Sequence, residues 1–138
     1  LDLNLLKMGL FNNLFGSNNN SEKKEANPLP WIPLVTVEQL GDIDKKSFEK
    51  PQVIFKHSTT CGISRMALNQ FTSQYSIPEG KLDLYFLDLK SYRQVSNEVA
   101  NKFNVVHESP QLLIVKNGKV VSHASHGGII ELDLQGKI

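Results

Sequence analysis

The chain contains 138 residues, of which 40% are hydrophobic and 21% are charged, and its formal net charge is +1. These values are ordinary for a soluble globular protein, and the near-neutral charge without a long basic block argues against nucleic acid or an anionic membrane as a partner. One cysteine excludes an internal disulfide, and no apolar run is long enough to span a bilayer, so we expect a cytoplasmic protein.

Residues 1–29 are predicted to form a flexible N-terminal tail or linker. A small amphipathic patch in this segment consists of Leu10, Phe11, Leu14 and Phe15. The stretch from Gly16 to Ala26 is rich in Asn, Ser, Lys and Glu and lacks an apolar anchor, which is typical of a linker. Prolines then mark an extended entry into the folded domain, which we expect over residues 30–138.

The hydrophobic pattern of this domain predicts alternating strands and helices. Strands are predicted over residues 33–35, 53–57, 82–87, 112–115 and 120–123, and helices from residue 36, over 61–75, over 92–103 and over 130–138. Thr36 followed by Gln39 is typical of a capping box, and Phe48 is expected to extend the apolar face of that first helix. Asn117-Gly118 is a strong signal for a hairpin between the last two strands.

Cys61 is predicted to lie at the N-terminus of the second helix, directly after a buried strand. The apolar stripe of that helix is expected to consist of Ile63, Met66, Ala67 and Phe71. Unpaired backbone N–H groups and the positive end of the helix dipole favour the thiolate of a cysteine in this place. The residues expected to support the thiolate are Thr60, Gly62, Ser64, His57 and Arg65, with Lys56 adding positive potential. The alternative is an inert buried cysteine, the commoner state of a lone thiol, which fits poorly after Ser-Thr-Thr.

The predicted order of elements, β-α-β-α-β-α-β-β-α, resembles that of the thioredoxin superfamily. Three features carry the resemblance: Cys61 at the start of the helix after the second strand, Pro110 before the penultimate strand, and a terminal hairpin followed by a helix. It implies a thioredoxin-like α/β fold, with a central mixed sheet of about five strands and helices on both faces. It also implies that the Ser109–Pro110 bond is cis and lies beside the nucleophile, where the backbone of Ser109 binds an extended substrate segment.

The motif Cys61-Gly62-Ile63-Ser64 has serine where members of that superfamily usually carry a second cysteine. A dithiol protein resolves its mixed disulfide internally, whereas here Cys61 stays joined to the attacked sulfur until another thiol releases it. The residues therefore indicate monothiol exchange. The Ser64 hydroxyl either donates a hydrogen bond to the thiolate or is an ordinary polar group of the first helical turn.

Within the superfamily, the chain resembles the monothiol bacilliredoxins, the YtxJ-like family. The matching residues are Phe55-Lys56-His57-Ser58-Thr59-Thr60-Cys61, Ile63-Ser64, Glu108-Ser109-Pro110-Gln111, Lys116-Asn117-Gly118-Lys119-Val120-Val121 and Ser125-His126. The chain departs from the family pattern at Gly62, where the family has proline, and a glycine relaxes the first helical turn.

The resemblance implies the removal of bacillithiol, a low-molecular-weight thiol, from mixed disulfides on proteins. Cys61 would attack the bacillithiol sulfur, release the client's thiol and itself become bacillithiolated. The implied partners are bacillithiol as thiol co-substrate, S-thiolated client proteins, and a second small thiol or a partner reductase that regenerates Cys61. We expect no permanently bound cofactor and no metal.

Other functions stay open at this point. A monothiol glutaredoxin, which carries an iron–sulfur cluster, has Cys-Gly-Phe-Ser in place of the motif at Cys61, but its proline motif and hairpin differ from those of this chain. A redox-silent thioredoxin-like binding module would have a buried, unreactive Cys61. A one-cysteine peroxidase is disfavoured because Ile54 occupies the place of its usual proline. A metal set of Cys61, His123 and His126 is disfavoured by the ligand spacing, and His107 receives no role.

Overall fold

The described part of the chain, residues 29–138 of a computed structural model, contains five strands and five helices, which alternate as far as the fourth strand. The strands are β1 (Trp31–Pro33), β2 (Gln52–His57), β3 (Asp83–Asp88), β4 (Gln111–Lys116) and β5 (Lys119–Ser125), and the helices are α1 (Glu38–Lys46), α2 (Gly62–Gln74), α3 (Arg93–Phe103), α4 (Gly128–Glu131) and α5 (Leu134–Lys137). They form one compact unit, Trp31–Ile138. The amphipathic patch predicted in the tail lies outside the described residues. None of the helices within residues 29–138 is long and apolar enough to cross a membrane.

The strands form one mixed sheet in the order β1-β3-β2-β4-β5. β1, β3 and β2 are parallel, as the intervening helices require, and β4 and β5 add an antiparallel hairpin beside β2. Asn117 and Gly118, at the hairpin turn, have positive φ angles of 54° and 79°, which is the conformation that the Asn-Gly pair favours. The predicted thioredoxin-like α/β fold with a mixed five-stranded sheet is confirmed.

Helices cover both faces of the sheet. On one face, Ile54 belongs to a buried cluster with residues of α1 and α3, including Ile43 and Val99. On the other, Phe55 stacks on Phe71 of α2 with ring centroids 5.4 Å apart. Because successive residues of a strand point to opposite faces, β2 is buried along its whole length, which is why its sequence is nearly continuously apolar.

The chain leaves the sheet earlier than predicted, after Pro33 rather than Val35. The Gln39 side chain explains the difference: its amide nitrogen donates to the Pro33 carbonyl (2.9 Å) and its oxygen accepts from the Val35 N–H (2.7 Å). The predicted capping-box contacts with Thr36 are present, although the N-cap residue of α1 is Val37. Gln39 therefore holds the backbone at Pro33, Val35 and Thr36, while the Leu34 N–H still donates to the Phe86 carbonyl of β3 (2.9 Å).

Two predictions about the apolar faces were wrong. Phe48 is 63% exposed, because α1 ends at Lys46 and Phe48 lies against the hairpin turn at Gly118 instead of the core. The helix predicted over residues 130–138 is instead two short helices, α4 and α5, and the buried apolar residue Ile129 lies before the predicted start.

Candidate functional site

Cys61 is the N-cap residue of α2 and lies in the turn that joins this helix to β2. Its backbone is extended (φ −107°, ψ 122°), and its side chain is half-buried and makes no capping hydrogen bond. The Cys61 N–H donates to the Ser58 carbonyl (3.2 Å), and the Cys61 carbonyl accepts the N–H of Arg65 (3.0 Å). The thiol is thus presented at the start of the helix, as the sequence predicts, by a turn that is closed by backbone hydrogen bonds.

Ser64, in the place of a resolving cysteine, is fully buried. Its Oγ accepts the N–H of Ser58 (3.0 Å) and lies 2.9 Å from His57 Nδ1. Both partners belong to the segment that leads from β2 into the cysteine turn. The hydroxyl therefore ties the helix to this turn, and neither of the two roles predicted for it, a donor to the thiolate or an ordinary polar residue, describes its contacts.

His57 is buried at the end of β2 and contacts Phe86 with ring centroids 5.5 Å apart. Burial is the main cause that lowers the pKa of His57, and the nearby charge of Arg65 lowers it further, while Asp88 and the hydrogen bond with Ser64 raise it. The ring is therefore neutral at neutral pH, which argues against the predicted role as a source of positive potential. We assign Nδ1 as the acceptor of the Ser64 hydroxyl proton.

The remaining residues predicted to support the thiolate, Thr60, Gly62 and Arg65, lie in the turn and the first helical turn and are exposed. A Cβ placed on Gly62 would have Arg65 Nη2 as its nearest neighbour, at 3.9 Å. The glycine is therefore not required by a close approach of other atoms. Lys56, the other predicted source of positive potential, is fully buried within β2.

Ser109 and Pro110 lie at the same edge of the sheet as the cysteine turn. Lys56 pairs with Gln111 across the antiparallel β2–β4 ladder, so the residue before Gln111 is level with the end of β2, from which the turn to Cys61 departs. The Ser109–Pro110 peptide bond is cis, as predicted. The Ser109 Oγ is buried and has no hydrogen-bond partner within residues 29–138. A buried hydroxyl without a partner is unusual and is the one such side-chain group in that part of the chain.

The comparison with known families decides what kind of protein carries this site. Residues 32–134, which include every residue of the site, match the family described as monothiol bacilliredoxin BrxC. This chain belongs to the monothiol bacilliredoxin family. Family and fold together place it among the thiol–disulfide oxidoreductases, and its single cysteine lies at the start of the helix that follows β2.

Solved structures agree with the thioredoxin-like fold. The chain is 31% identical to a candidate oxidoreductase with a thioredoxin fold, covering 86% of this chain and 100% of the other, with a TM-score of 0.67. Thioredoxins from Malassezia sympodialis and Schistosoma mansoni are each 20% identical, with TM-scores of 0.61 and 0.57. The first covers 80% of this chain and 89% of its own length, and the second 78% and 93%. At that identity the two thioredoxins support the fold alone.

Two apolar side chains of α2 near Cys61 are exposed, although they were predicted to lie in the core. Ile63 and Met66 are 58% and 60% exposed, so the predicted stripe of α2 was wrong at both positions. The buried face is instead Ser64, Ala67 and Phe71. Ala67 and Phe71 of the predicted stripe are on this face, and Ser64, which contacts Ser58 and His57, takes the place of Ile63 and Met66.

A metal centre finds no support in the described bacilliredoxin domain. His123 and His126 are both exposed. Within residues 29–138, no group of three or more His, Cys, Asp or Glu side chains is arranged to hold a metal ion.

Proposed function

We propose that this protein removes bacillithiol from mixed disulfides on client proteins, with Cys61 as the nucleophile. The observation that carries the proposal is the pairing of a sole cysteine at a helix N-cap with a fully buried serine in the resolving position, in a chain of the monothiol bacilliredoxin family. Because the chain contains no second thiol, a mixed disulfide on Cys61 persists until a thiol from another molecule attacks it.

The reaction is a thiol–disulfide exchange without net oxidation. The Cys61 thiolate attacks the bacillithiol sulfur of the client's mixed disulfide, a new S–S bond joins Cys61 to bacillithiol, and the old S–S bond breaks. The client leaves as a thiolate and takes up a proton. A second low-molecular-weight thiol or a partner reductase then supplies the electrons that free Cys61, so bacillithiol acts as co-substrate and no cofactor stays bound.

The turn and the first turn of α2 supply the environment of the thiolate. We assign Thr60, Gly62 and Arg65 to this role through the backbone N–H groups and positive potential at the helix start. Ser64 and His57 act indirectly, by holding the segment from Ser58 to Cys61 against the sheet. Their contribution is the geometry of the nucleophile rather than a charge.

Ser109 and Pro110 are proposed to bind the substrate segment. They lie at the edge of the sheet from which the cysteine turn departs, and Ser109 Oγ is a buried hydroxyl with no partner in the described chain. An N–H or carbonyl group of a bound substrate would satisfy this hydroxyl, which otherwise carries an uncompensated desolvation cost.

The test is intact-mass spectrometry of the reduced protein after incubation with bacillithiol disulfide and, separately, glutathione disulfide, with Cys61→Ser as the control. We expect a single adduct, faster with bacillithiol, that is absent from the control and is reversed by free bacillithiol. Preference for glutathione together with a coloured iron–sulfur dimer on anaerobic purification would indicate a glutaredoxin instead. No adduct at neutral pH would indicate a redox-silent binding module.

A second variant tests the assignment of the resolving position. Ser64→Cys places a thiol at the buried position one helical turn from Cys61, so the mixed disulfide should be resolved internally. We expect the bacillithiol adduct to disappear in favour of a species lighter than the reduced protein by two hydrogens, in which Cys61 is disulfide-bonded to the new cysteine. Persistence of the adduct would contradict the assignment.

A further inference from the structure

Lys56 is a fully buried lysine that the proposed reaction does not use. It lies in β2, one residue before His57, and points to the opposite face of the sheet, where its Nζ donates to the carbonyl of Ser96 in α3 (3.3 Å). The same Nζ lies 3.1 Å from His107 Nδ1. The Ser96 hydroxyl oxygen also lies near His107 Nδ1, at 3.4 Å. A lysine of β2, a serine of α3 and a histidine of the loop between α3 and β4 thus meet on this face of the sheet.

A lysine in this position is unfavourable for packing alone. No carboxylate forms a salt bridge with Lys56 within residues 29–138, and burial lowers the pKa of its amine to about 8. At pH 7 the side chain is therefore still an ammonium group, and its protons need the Ser96 carbonyl and His107 Nδ1 as acceptors. An apolar side chain of similar length would avoid this desolvation, so the lysine has a use beyond filling the core.

His107 is in the neutral form that can accept a hydrogen bond from the charged Lys56. Its pKa is lowered by burial first, then by the charges of Lys56 and Arg93, and is raised by Glu108. The ring is therefore neutral at neutral pH, with its proton on Nε2 and with Nδ1 free to accept from Lys56. The contact is a charge-assisted hydrogen bond, which is stronger than one between neutral groups.

The bond reaches the segment that carries the proposed substrate-binding residues. His107 lies between α3 and β4, two residues before Ser109 and three before Pro110. Gln111 also holds this segment: its amide nitrogen donates to the Val106 carbonyl (3.0 Å) and its oxygen accepts the N–H of Glu108 (3.4 Å). Lys56 and Gln111 are partners in the β2–β4 ladder, so both anchors start from neighbouring strands of the same sheet.

We propose that Lys56 and His107 are positioning residues that hold the segment carrying Ser109 and Pro110 in register with the turn of Cys61. They thereby set the affinity for an extended mixed-disulfide substrate while leaving the reactivity of the thiol itself unchanged. The proposal rests on the proposed function of Cys61, because it assigns the residues that place its substrate.

The experiment compares Lys56→Met, which keeps length but removes the donor, with His107→Leu, which removes the acceptor, and His107→Asn, which retains one. Lys116→Met is the matched control, because Lys116 also lies in a central strand and its Nζ donates to a backbone carbonyl, that of Ile138, at 3.5 Å. KM and kcat are measured with a bacillithiolated peptide, thiol reactivity with iodoacetamide, and order of the segment by amide hydrogen exchange of residues 105–109.

We expect Lys56→Met and His107→Leu to raise KM about tenfold, the size of one lost charge-assisted hydrogen bond, and to speed exchange in the segment. The rate of Cys61 alkylation should stay within about twofold of wild type, and His107→Asn should restore much of the affinity. An unchanged KM and unchanged exchange, or an equal loss of alkylation rate, would overturn the proposal. A wild-type protein that transfers no bacillithiol would instead overturn the proposed function. The amide hydrogen exchange of residues 105–109 would still test whether Lys56 and His107 hold this segment.

Discussion

Replacing Ser64 by alanine tests whether the serine at the resolving position is a structural tether. The variant removes one buried oxygen that accepts the Ser58 N–H at 3.0 Å and contacts His57 Nδ1 at 2.9 Å. Both groups are left without this partner, and His57 is itself buried. A polar group stranded in the interior costs about 1–3 kcal/mol, and an ordinary hydrogen bond contributes roughly 1 kcal/mol net.

Alanine also gains helix propensity over serine, which offsets about 0.5 kcal/mol. The expected net loss in the free energy of unfolding is therefore about 2–3 kcal/mol, a large part of the roughly 5–15 kcal/mol that stabilises a typical domain. The assay is urea unfolding followed by circular dichroism, with the midpoint and slope fitted together. The loss should appear in the midpoint, with little change in slope.

Ser73→Ala provides the matched control. Ser73 lies in the same helix, but it is exposed and its hydroxyl donates only to the Gln70 carbonyl within its own helix. This substitution should change the free energy of unfolding by less than about 0.5 kcal/mol. Equal effects of Ser64→Ala and Ser73→Ala would refute the reasoning, because helix propensity alone would then account for both.

Three further changes have expected outcomes. Gly62→Pro should raise the free energy of unfolding by about 0.5–1 kcal/mol in urea titrations. Gly62 is the first helical residue, Cys61 already has the extended backbone that precedes proline, and the nearest side-chain atom to an added Cβ is Arg65 Nη2 at 3.9 Å. A lower urea midpoint would contradict this expectation. Ser109→Ala should leave the free energy of unfolding unchanged or raise it by about 1 kcal/mol, since it removes a buried hydroxyl without a partner in the described chain. KM for the bacillithiolated peptide should increase. A clear loss of stability would show that the hydroxyl has a partner. The pKa values of His57 and His107 are both lowered from 6.5, so below that pH the unfolded chain binds more protons than the folded one. The free energy of unfolding should therefore fall as the pH drops and level off below the lowered pKa values. Urea midpoints that stay flat from about pH 7 to pH 5 would exclude this linkage.

The order of elements and the position of Cys61 could be predicted because the signals are local. An apolar run, polar turn residues and a helical period place Cys61 at a helix start, and the structure has it at the N-cap of α2. Asn117-Gly118 specifies its turn through the backbone conformations that these two residues tolerate. The resemblance that these signals support also predicted the fold, and the sheet order confirms it.

The faces of the helices could be predicted only in part, because periodicity gives a stripe but not its exact orientation. Ile63 and Met66 lie within one residue of the buried face of α2, and they were assigned to the core. Phe48 was placed on the face of α1, although the chain turns to meet the hairpin before that residue is reached. In each case the deciding contact comes from another element.

The sequence by itself excluded resolution by a second thiol of this chain, since Cys61 is its one cysteine and a serine stands three residues later. Only the tertiary structure decided what the neighbouring polar residues do. Lys56 and His57 are adjacent in a polar motif, yet strand geometry sends them to opposite faces, where Lys56 meets partners 40 and 51 residues away in sequence. Whether such a side chain acts as a charge or as a positioning group depends on the polar groups that packing brings within about 3.5 Å, because a hydrogen bond does not form beyond about that distance.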